Sequence, residues 1–476
     1  MRATTRSRRS TRLGLIPVCL LLLGMSGMLT AQEPADRTAR IDTFIQAEMK
    51  RLHIPGLALA IISQGEILYG KGYGLANLEH QVPVKPETVF QSGSTGKQYT
   101  AMAVLMLAEA GKLKLEESIR TYFPDAPKEW QPITIRHLLT HTSGLGDYTE
   151  AIDLRKDLTE TELRQLIYRQ KLGFKPGEDF SYSNLGYTTL GTLISKITGK
   201  FYGDFLQERI FGPLGMKTAR IINESDIISN RAAGYFWNGV EWKNQEWVSP
   251  TFNSTADGSL YLTLADVAKW DAALYTEKLV SKASLDLAWT SGKLNSGKET
   301  RYGFGWSLAE MNGHRLIEHG GAWQGFMAMI SRYIDDRVTV VLFANVAGVP
   351  VDRLAHAVAG LWEPALTPPT ITAIEDKEPA VTALIKTRIS ELAAGTSKPE
   401  YFTKEFAAEL FPEVVVQIKE YLGKLGPITR MVLFKRLEEG GVRVYHYQVH
   451  FSETRLILQM SLNKGNIIVG FSARPD

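Results

Sequence analysis

The chain has 476 residues, enough for one large domain and a smaller one. Its 44% hydrophobic and 22% charged residues describe a globular protein and exclude disordered and fibrous classes. A single Cys, Cys19, excludes a disulfide framework and a cysteine-built metal site. The formal net charge of +3 is concentrated at the start: residues 1–31 hold five Arg and no acid. The remainder carries 49 basic against 51 acidic residues, a balance that gives nucleic acid no electrostatic footprint.

Arg2, Arg6, Arg8, Arg9 and Arg12 precede an apolar run from Leu13 to Leu29, and Thr30-Ala31 ends it with small residues. This pattern predicts a secretory signal peptide over residues 1–31 and export to the periplasm or the exterior. A retained anchor is the alternative, but the run is near the lower limit for a bilayer span and contains Pro17 and three Gly. The mature chain is then free of Cys, which suits an oxidising compartment, and no membrane association is expected after cleavage.

Ile41, Phe44, Ile45 and Met49 predict a helix over 38–51. Leu57–Ile62 and Ile67–Gly70 flank Ser63-Gln64-Gly65-Glu66 and predict a hairpin. A helix is expected from Ser94 to Gly111, apolar all round over Ala101–Ala108 and therefore buried. Residues 115–290 read as helical and loop-rich, with stops at Gly199, Gly215 and Gly258. Strands return at Arg315–Glu318, Phe326–Tyr333 and Val338–Phe343, and 352–362 is again an amphipathic helix. Strands from both ends with a helical block between them give an α/β or α+β plan with two lobes. Pro364 to Pro379 holds four Pro and is placed as a linker. Beyond it, helices are expected at 380–394 and 403–423. Four strands follow, at about 428–437, 442–451, 454–462 and 466–473, with turns at Glu439-Gly440-Gly441 and Asn463-Lys464-Gly465.

The chemistry-bearing residues begin with Ser94-Thr95-Gly96-Lys97, a Ser-x-x-Lys at the start of the buried helix. Residues three apart share a helix face, and a Lys held in a dry setting loses charge stability and gains basicity. The helix start also offers unpaired N–H groups to a developing oxyanion. A second such motif, Ser461 to Lys464, falls at a strand end entering a turn, where the two side chains do not share a face. Tyr182-Ser183-Asn184 follows the turn Pro176-Gly177, placing a phenol and an amide two residues apart. His319-Gly320-Gly321 closes a strand, and Ala322 follows with an available N–H.

The order Ser-x-x-Lys, Tyr-x-Asn, His-x-Gly resembles the serine β-lactamase and penicillin-binding-protein superfamily, on the branch of class C β-lactamases, D-aminopeptidases and family VIII esterases. The stretches Phe90–Lys97, Ile135–Leu145 and Gly258–Asp266 carry the same resemblance, which covers about residues 38–363. It implies a β-lactamase/transpeptidase-like fold, an antiparallel sheet with an inserted helical lobe. It also implies Ser94 as acylated nucleophile, Lys97 as its proton acceptor, and Tyr182 as base and leaving-group acid. Asn184 orients the acyl side chain, and the N–H groups of Ser94 and Ala322 form the oxyanion hole. His319 stands where many relatives have a Lys that holds a substrate carboxylate. An imidazole of ordinary pKa, ~6.5, is mostly neutral at pH 7, so carboxylate recognition weakens, although one hydrogen bond can still be donated.

Other constellations read as structural. His137 and His141 are four apart, but Leu138 replaces the Glu of a zincin motif. His446 and His450 share a strand face ~13 Å apart, too far for one metal. Glu178 and Asp179 read as polar turn residues, and Trp306 and Trp323 fit either the core or the cleft wall. No metal and no cofactor are expected. Residues 371–476 carry 14 basic and 13 acidic residues and no catalytic set. They loosely resemble the nuclear-transport-factor-like fold, so 380–476 is expected to be a small α+β accessory domain. The expectation is a secreted serine hydrolase acting through an acyl-enzyme on a small-molecule ester, amide or peptide. A D-Ala-D-Ala carboxypeptidase or β-lactamase, and a non-catalytic binding protein that kept the cleft, are the alternatives. The sequence leaves the oligomeric state open.

Overall fold

The computed structural model describes residues 34–148, 152–368, 371–451 and 455–475; the expected signal segment lies outside them. Helix α1 (Pro34–Arg51) leads into the hairpin β1 (Gly56–Ser63) and β2 (Glu66–Asn77). Gln64 and Gly65 turn it with φ of 51° and 85°, the paired left-handed geometry that two-residue hairpins need. All of β1 except Ser63 is buried, so both of its faces are covered, and its sequence runs apolar without alternation.

Three helical features of the inserted lobe matter for the site. They are the 3₁₀ turn Gly93–Gly96, the helix α2 (Lys97–Glu109) that continues it, and α3 (Asn184–Thr198). The chain then returns through β3 (Ser307–Met311), β4 (His314–Trp323), β5 (Phe326–Tyr333), β6 (Val338–Ala344) and helix α4 (Val351–Trp362). The seven-stranded sheet runs Val82–Pro83, β2, β1, β6, β5, β4, β3, with antiparallel pairs. Its centre joins strands far apart in the sequence, β1 and β6, with Leu57 opposite Ala344 and Ile62 opposite Thr339. Alternate β1 side chains feed two cores. Leu57, Leu59 and Ile61 meet Ile41, Ile45, Leu354 and Val358 from α1 and α4. Ala58, Ala60 and Ile62 belong to the core of the inserted lobe with Tyr99 and Ala103 of α2.

Several expectations need correction. Strand β4 does not end at His319-Gly320-Gly321 but runs through them to Trp323. Its partner β3 pairs only His314 to Glu318, so from His319 onward that edge has no strand neighbour and the Gly93–Gly96 turn packs beside it. Strand β3 itself was not expected, because Ser-Leu-Ala-Glu-Met has no β-branched or aromatic residue to mark it. Gly199 and Gly215 cap helices with φ of 68° each, as expected. Gly258 is not a helix stop: it adopts φ 146° before the strand Leu260–Leu262.

Further along come α5 (Pro379–Ala394), α6 (Lys404–Leu410) and α7 (Glu413–Gly423). The single helix expected over 403–423 is two, broken at Phe411-Pro412, where Pro412 has no N–H to extend the first. Strands β7 (Arg430–Glu439), β8 (Val442–His450), β9 (Arg455–Leu462) and β10 (Ile468–Pro475) form an antiparallel meander in sequential order. The buried residues of this region's core, Ile385 to Ile468, all come from its own elements.

Candidate active site

Ser94 lies in the 3₁₀ turn and Lys97 opens α2. In a 3₁₀ turn residues i and i+3 eclipse, so the two side chains meet directly. The Lys97 side chain is fully buried and spends three donors: Nζ to Ser94 Oγ at 3.0 Å, to Asn184 Oδ1 at 2.6 Å and to the Asp257 carbonyl at 2.5 Å. Burial brings its pKa down to about 8, against the opposing pull of the Asp257 and Asp147 carboxylates.

Tyr182 lies against this ammonium, 4.8 Å from Nζ to the ring centroid, with Tyr187 at 5.5 Å. The Tyr182 hydroxyl is buried without a hydrogen bond. Burial pushes this phenol well above its ordinary value, and the nearby Ser94 hydroxyl acts in the other direction. His141 fixes the segment that carries Tyr182. Its carbonyl accepts from Ser181 N–H at 3.0 Å and its Nδ1 accepts from Ser183 N–H at 3.0 Å. Its ring packs on Tyr182 with centroids 4.3 Å apart. It therefore belongs to the site wall and not to a metal pair with His137. The helix Ile135–Leu139 ends before His141, which has φ 58°, and His137 is spent in a capping box with Thr134. Among the described residues no group of three or more His, Cys, Asp and Glu is placed to hold a metal ion.

Asn184 begins α3, with Ser183 as N-cap accepting from Gly186 N–H. Its Oδ1 faces Lys97, and its Nδ2 donates to both oxygens of Asp147, at 2.8 and 3.1 Å. The Tyr148 hydroxyl donates to Asp257 Oδ2 at 3.1 Å. Sequence reasoning missed Asp147, Tyr148 and Asp257. The only signal was adjacency: Asp147 lies two residues past the stretch 135–145, and Asp257 immediately before 258–266.

His319 differs from expectation. It is buried, its Nε2 lies 2.8 Å from the Tyr302 hydroxyl and its Nδ1 lies 2.6 Å from the Gly320 carbonyl. A carbonyl only accepts, so Nδ1 carries the proton and Nε2 accepts from Tyr302. No ring donor is left for substrate, and the single hydrogen bond expected from sequence is already spent on the chain. Burial, with Lys97 nearby, lowers the His319 pKa to about 3.

The Ser94 and Ala322 amides approach each other across two glycines. At Gly93, φ 50°, a Cβ would sit 2.5 Å from Ala322 N; at Gly321 it would sit 3.1 Å from Ser94 N and strike the Ser92 carbonyl. Gly320 and Ala322 are exposed on this edge. Trp323 Nε1 donates to buried Asn253 at 2.9 Å, whereas Trp306 is a core residue packed near the Arg332 guanidinium. Glu178 is an exposed partner of Lys175, and the Asp179 side chain accepts from the Phe180 N–H: both are turn residues. Ser461 lies in β9 and Lys464 in the following turn, away from any such arrangement.

The family model described as Beta-lactamase matches residues 41–361. The chain belongs to the beta-lactamase family. Penicillin-binding protein 4* of Bacillus subtilis (strain 168) is 33% identical to this beta-lactamase-family chain over 299 residues, 59% of the chain and 66% of the relative. A putative penicillin-binding protein, PbpX, of the same organism is 30% identical over 311 residues, 65% and 74% of the two chains. The chain spans about two thirds of the length of the first of these relatives and about three quarters of the second. The D-amino acid amidase of Ochrobactrum anthropi SV3 superposes with a TM-score of 0.60 at 26% identity, over 70% of this chain and 97% of the amidase. The octameric penicillin-binding protein homologue of Pyrococcus abyssi shares the fold over 92% of this chain and 96% of its own, with a TM-score of 0.62 at 21% identity. The fold is thus β-lactamase-like, with a C-terminal sheet domain added.

The His319 environment makes a stability prediction. Unfolded, an imidazole takes its proton near the usual 6.5; folded, His319 takes it only near 3. Between those values the unfolded state binds the extra proton, so stability falls as pH drops from about 6.5 toward 3. His319→Gln should flatten this dependence in urea titrations at pH 7, 5 and 4. An unchanged slope would mean that His319 is not the buried neutral group responsible.

Proposed function

We propose that this chain is an exported serine hydrolase that forms an acyl-enzyme at Ser94 and prefers small esters and amides without a free carboxylate. Membership in a family of serine hydrolases supports the reaction class. The export reading rests on residues 1–31; among the described residues no helix is long and apolar enough to cross a membrane. Residues 380–476 are proposed to be an accessory domain joined through the linker 364–379.

The chemistry follows from the two displaced pKa values. Lys97, brought down to about 8, is the group that reaches its neutral form nearest to physiological pH, while Tyr182 stays a phenol. Neutral Lys97 takes the Ser94 proton as Oγ attacks the carbonyl carbon, and the carbonyl oxygen becomes an anion held by the Ser94 and Ala322 amides. The Tyr182 hydroxyl, buried beside Ser94, gives its proton to the departing amine or alkoxide and is restored through Lys97. The acyl–leaving-group bond breaks and Ser94 carries the ester. Water then attacks that ester while neutral Lys97 takes its proton; the acyl C–O bond to Ser94 breaks, Lys97 returns the proton to Ser94 Oγ, and the acyl group leaves as the acid.

Substrate preference rests on one observation, the complete use of both His319 nitrogens inside the protein. A fixed ammonium beside a substrate carboxylate contributes about 1 to 4 kcal/mol, depending on the effective dielectric. A neutral imidazole without a free donor contributes none of it. The kcat/KM values for p-nitrophenyl butyrate and D-alanine amide should therefore exceed those for nitrocefin and a D-Ala-D-Ala peptide at pH 7. A tenfold advantage for either carboxylate substrate would overturn this preference. His319→Lys should move the ratio toward nitrocefin.

A further inference from the structure

Four consecutive carbonyls run along the nucleophile turn, and each accepts from a side chain. Thr255 takes the Tyr202 hydroxyl at 2.8 Å, Ala256 takes Thr100 Oγ1 at 2.7 Å, Asp257 takes Lys97 Nζ at 2.5 Å and Gly258 takes Ser92 Oγ at 2.7 Å. Three of the four donors come from residues 92–100, so this strap is stitched to the start of α2. Gly258 lets it lie flush. Its φ is 146°, and a Cβ there would sit 2.8 Å from Ser94 Cα and 2.2 Å from the Gly93 carbonyl oxygen.

The stitching holds one ionisable side chain close to the catalytic pair. The Asp257 carboxylate lies within a side chain's reach of Lys97 Nζ, because Nζ is hydrogen-bonded to the carbonyl of the same residue. Asp257 is buried. Its Oδ2 accepts from the Tyr148 hydroxyl at 3.1 Å, and its Oδ1 has no hydrogen-bond partner among the described residues. A proton on Oδ1 would find no acceptor, whereas a negative charge finds the Lys97 ammonium. Burial pushes this carboxyl up and the Lys97 charge pulls it back.

The ammonium needs such a partner. It is fully buried, and its three acceptors, Ser94 Oγ, Asn184 Oδ1 and the Asp257 carbonyl, are neutral. An ammonium taken out of water requires a counter-charge. The titratable groups around it are the phenols Tyr182 and Tyr187, the imidazoles His141 and His319, and the carboxylates Asp147 and Asp257. Burial keeps both phenols protonated and both imidazoles neutral, so only the two carboxylates carry charge. Asp147 is half-buried and shares its field with water. Asp257 is enclosed, and a buried pair is screened far less.

We infer that Asp257 is a positioning residue that keeps Lys97 basic: its buried carboxylate is the counter-charge for the ammonium formed when Lys97 takes the Ser94 proton. This deepens the acyl-enzyme reading above and rests on it. Without the carboxylate the ammonium loses its enclosed partner, so Lys97 releases its proton at lower pH and is a weaker base.

The test is the pH dependence of kcat/KM for p-nitrophenyl butyrate from pH 5.5 to 9 in the parent, Asp257→Asn and Asp257→Ala, each as the full chain. Neither substitution removes a strap hydrogen bond, since those use backbone carbonyls. A fluorophosphonate adduct at Ser94 reports that the site is assembled. The parent should gain close to tenfold between pH 7 and 9, with a midpoint near 8. Both variants should bring the midpoint to near 7 or below, which leaves a gain of about twofold over the same interval. A role in packing alone would lower the rate at every pH and leave the midpoint in place. An unmoved or raised midpoint, or failure of both variants to fold and form the adduct, would overturn this inference and leave the acyl-enzyme reading standing. A parent that forms no adduct, or shows no rising limb, would overturn Lys97 as the base and this inference with it.

Discussion

Ser94→Ala is expected to abolish hydrolysis of an activated ester, with a loss of at least about a thousandfold in kcat, while the fold and the melting temperature stay close to those of the parent. The side chain is short, partly exposed and accepts a hydrogen bond from Lys97 Nζ at 3.0 Å, so its removal leaves no cavity of consequence in the core. The loss should fall on kcat, because the hydroxyl forms its bond to substrate in the reaction itself. Mass spectrometry after a fluorophosphonate or labelled penicillin should locate the adduct on Ser94 in the parent and find none in the variant. Ser461→Ala should change nothing in the same assays. Near-native ester hydrolysis by Ser94→Ala would remove Ser94 from the mechanism and leave the geometry around Lys97 without its proposed purpose.

The contrast between the two Ser-x-x-Lys motifs shows what the sequence could decide. Ser94 was separable from Ser461 because one sits at the head of a buried apolar helix and the other at a strand end. The sheet was legible for a similar reason. The runs Leu57–Ile62 and Val338–Phe343 are apolar apart from Thr339 and bounded by turns, and strands buried on both faces look that way. Strand β3 was not legible, since an edge strand half exposed to water needs no such run.

The site divides in the same way. Residues brought together by local geometry, Ser94 with Lys97 and Tyr182 with Asn184, could be read from spacing. Those brought together by the tertiary fold could not. Asp257 reaches Lys97 through a backbone carbonyl from 160 positions away, and no side-chain pattern records such a contact. Asp147 meets Asn184 across 37 residues. Tyr302 takes the second nitrogen of His319 from 17 residues away, and this turns a plausible substrate donor into a wall. His141 reads as structural because the Glu of a zincin motif is missing, and its place against Tyr182 and Ser183, some 40 residues on, is set by the tertiary fold. In each case the polar group's role depends on who occupies its other hydrogen-bonding position, which only the folded chain determines.

That dependence is sharpest at Lys97, and it makes the second large prediction. Lys97 is fully buried, which disfavours its charge, yet it keeps three acceptors and feels two carboxylates, which favour it. Burial wins, and the pKa comes to rest at about 8. If neutral Lys97 is the base, only roughly a tenth of the protein is in the active form at pH 7, given a titration near 8. The kcat/KM of the parent should then rise with pH, gain close to tenfold between pH 7 and 9, and level off. Lys97→Ala should cost about a thousandfold or more and lose the rising limb. Tyr182→Phe should also be slow but should keep the limb, since its phenol titrates far above this range. A kcat/KM that falls through pH 8 would identify the ammonium as the active form. Lys97 would then serve to stabilise charge, and the proton from Ser94 would have to leave through Tyr182.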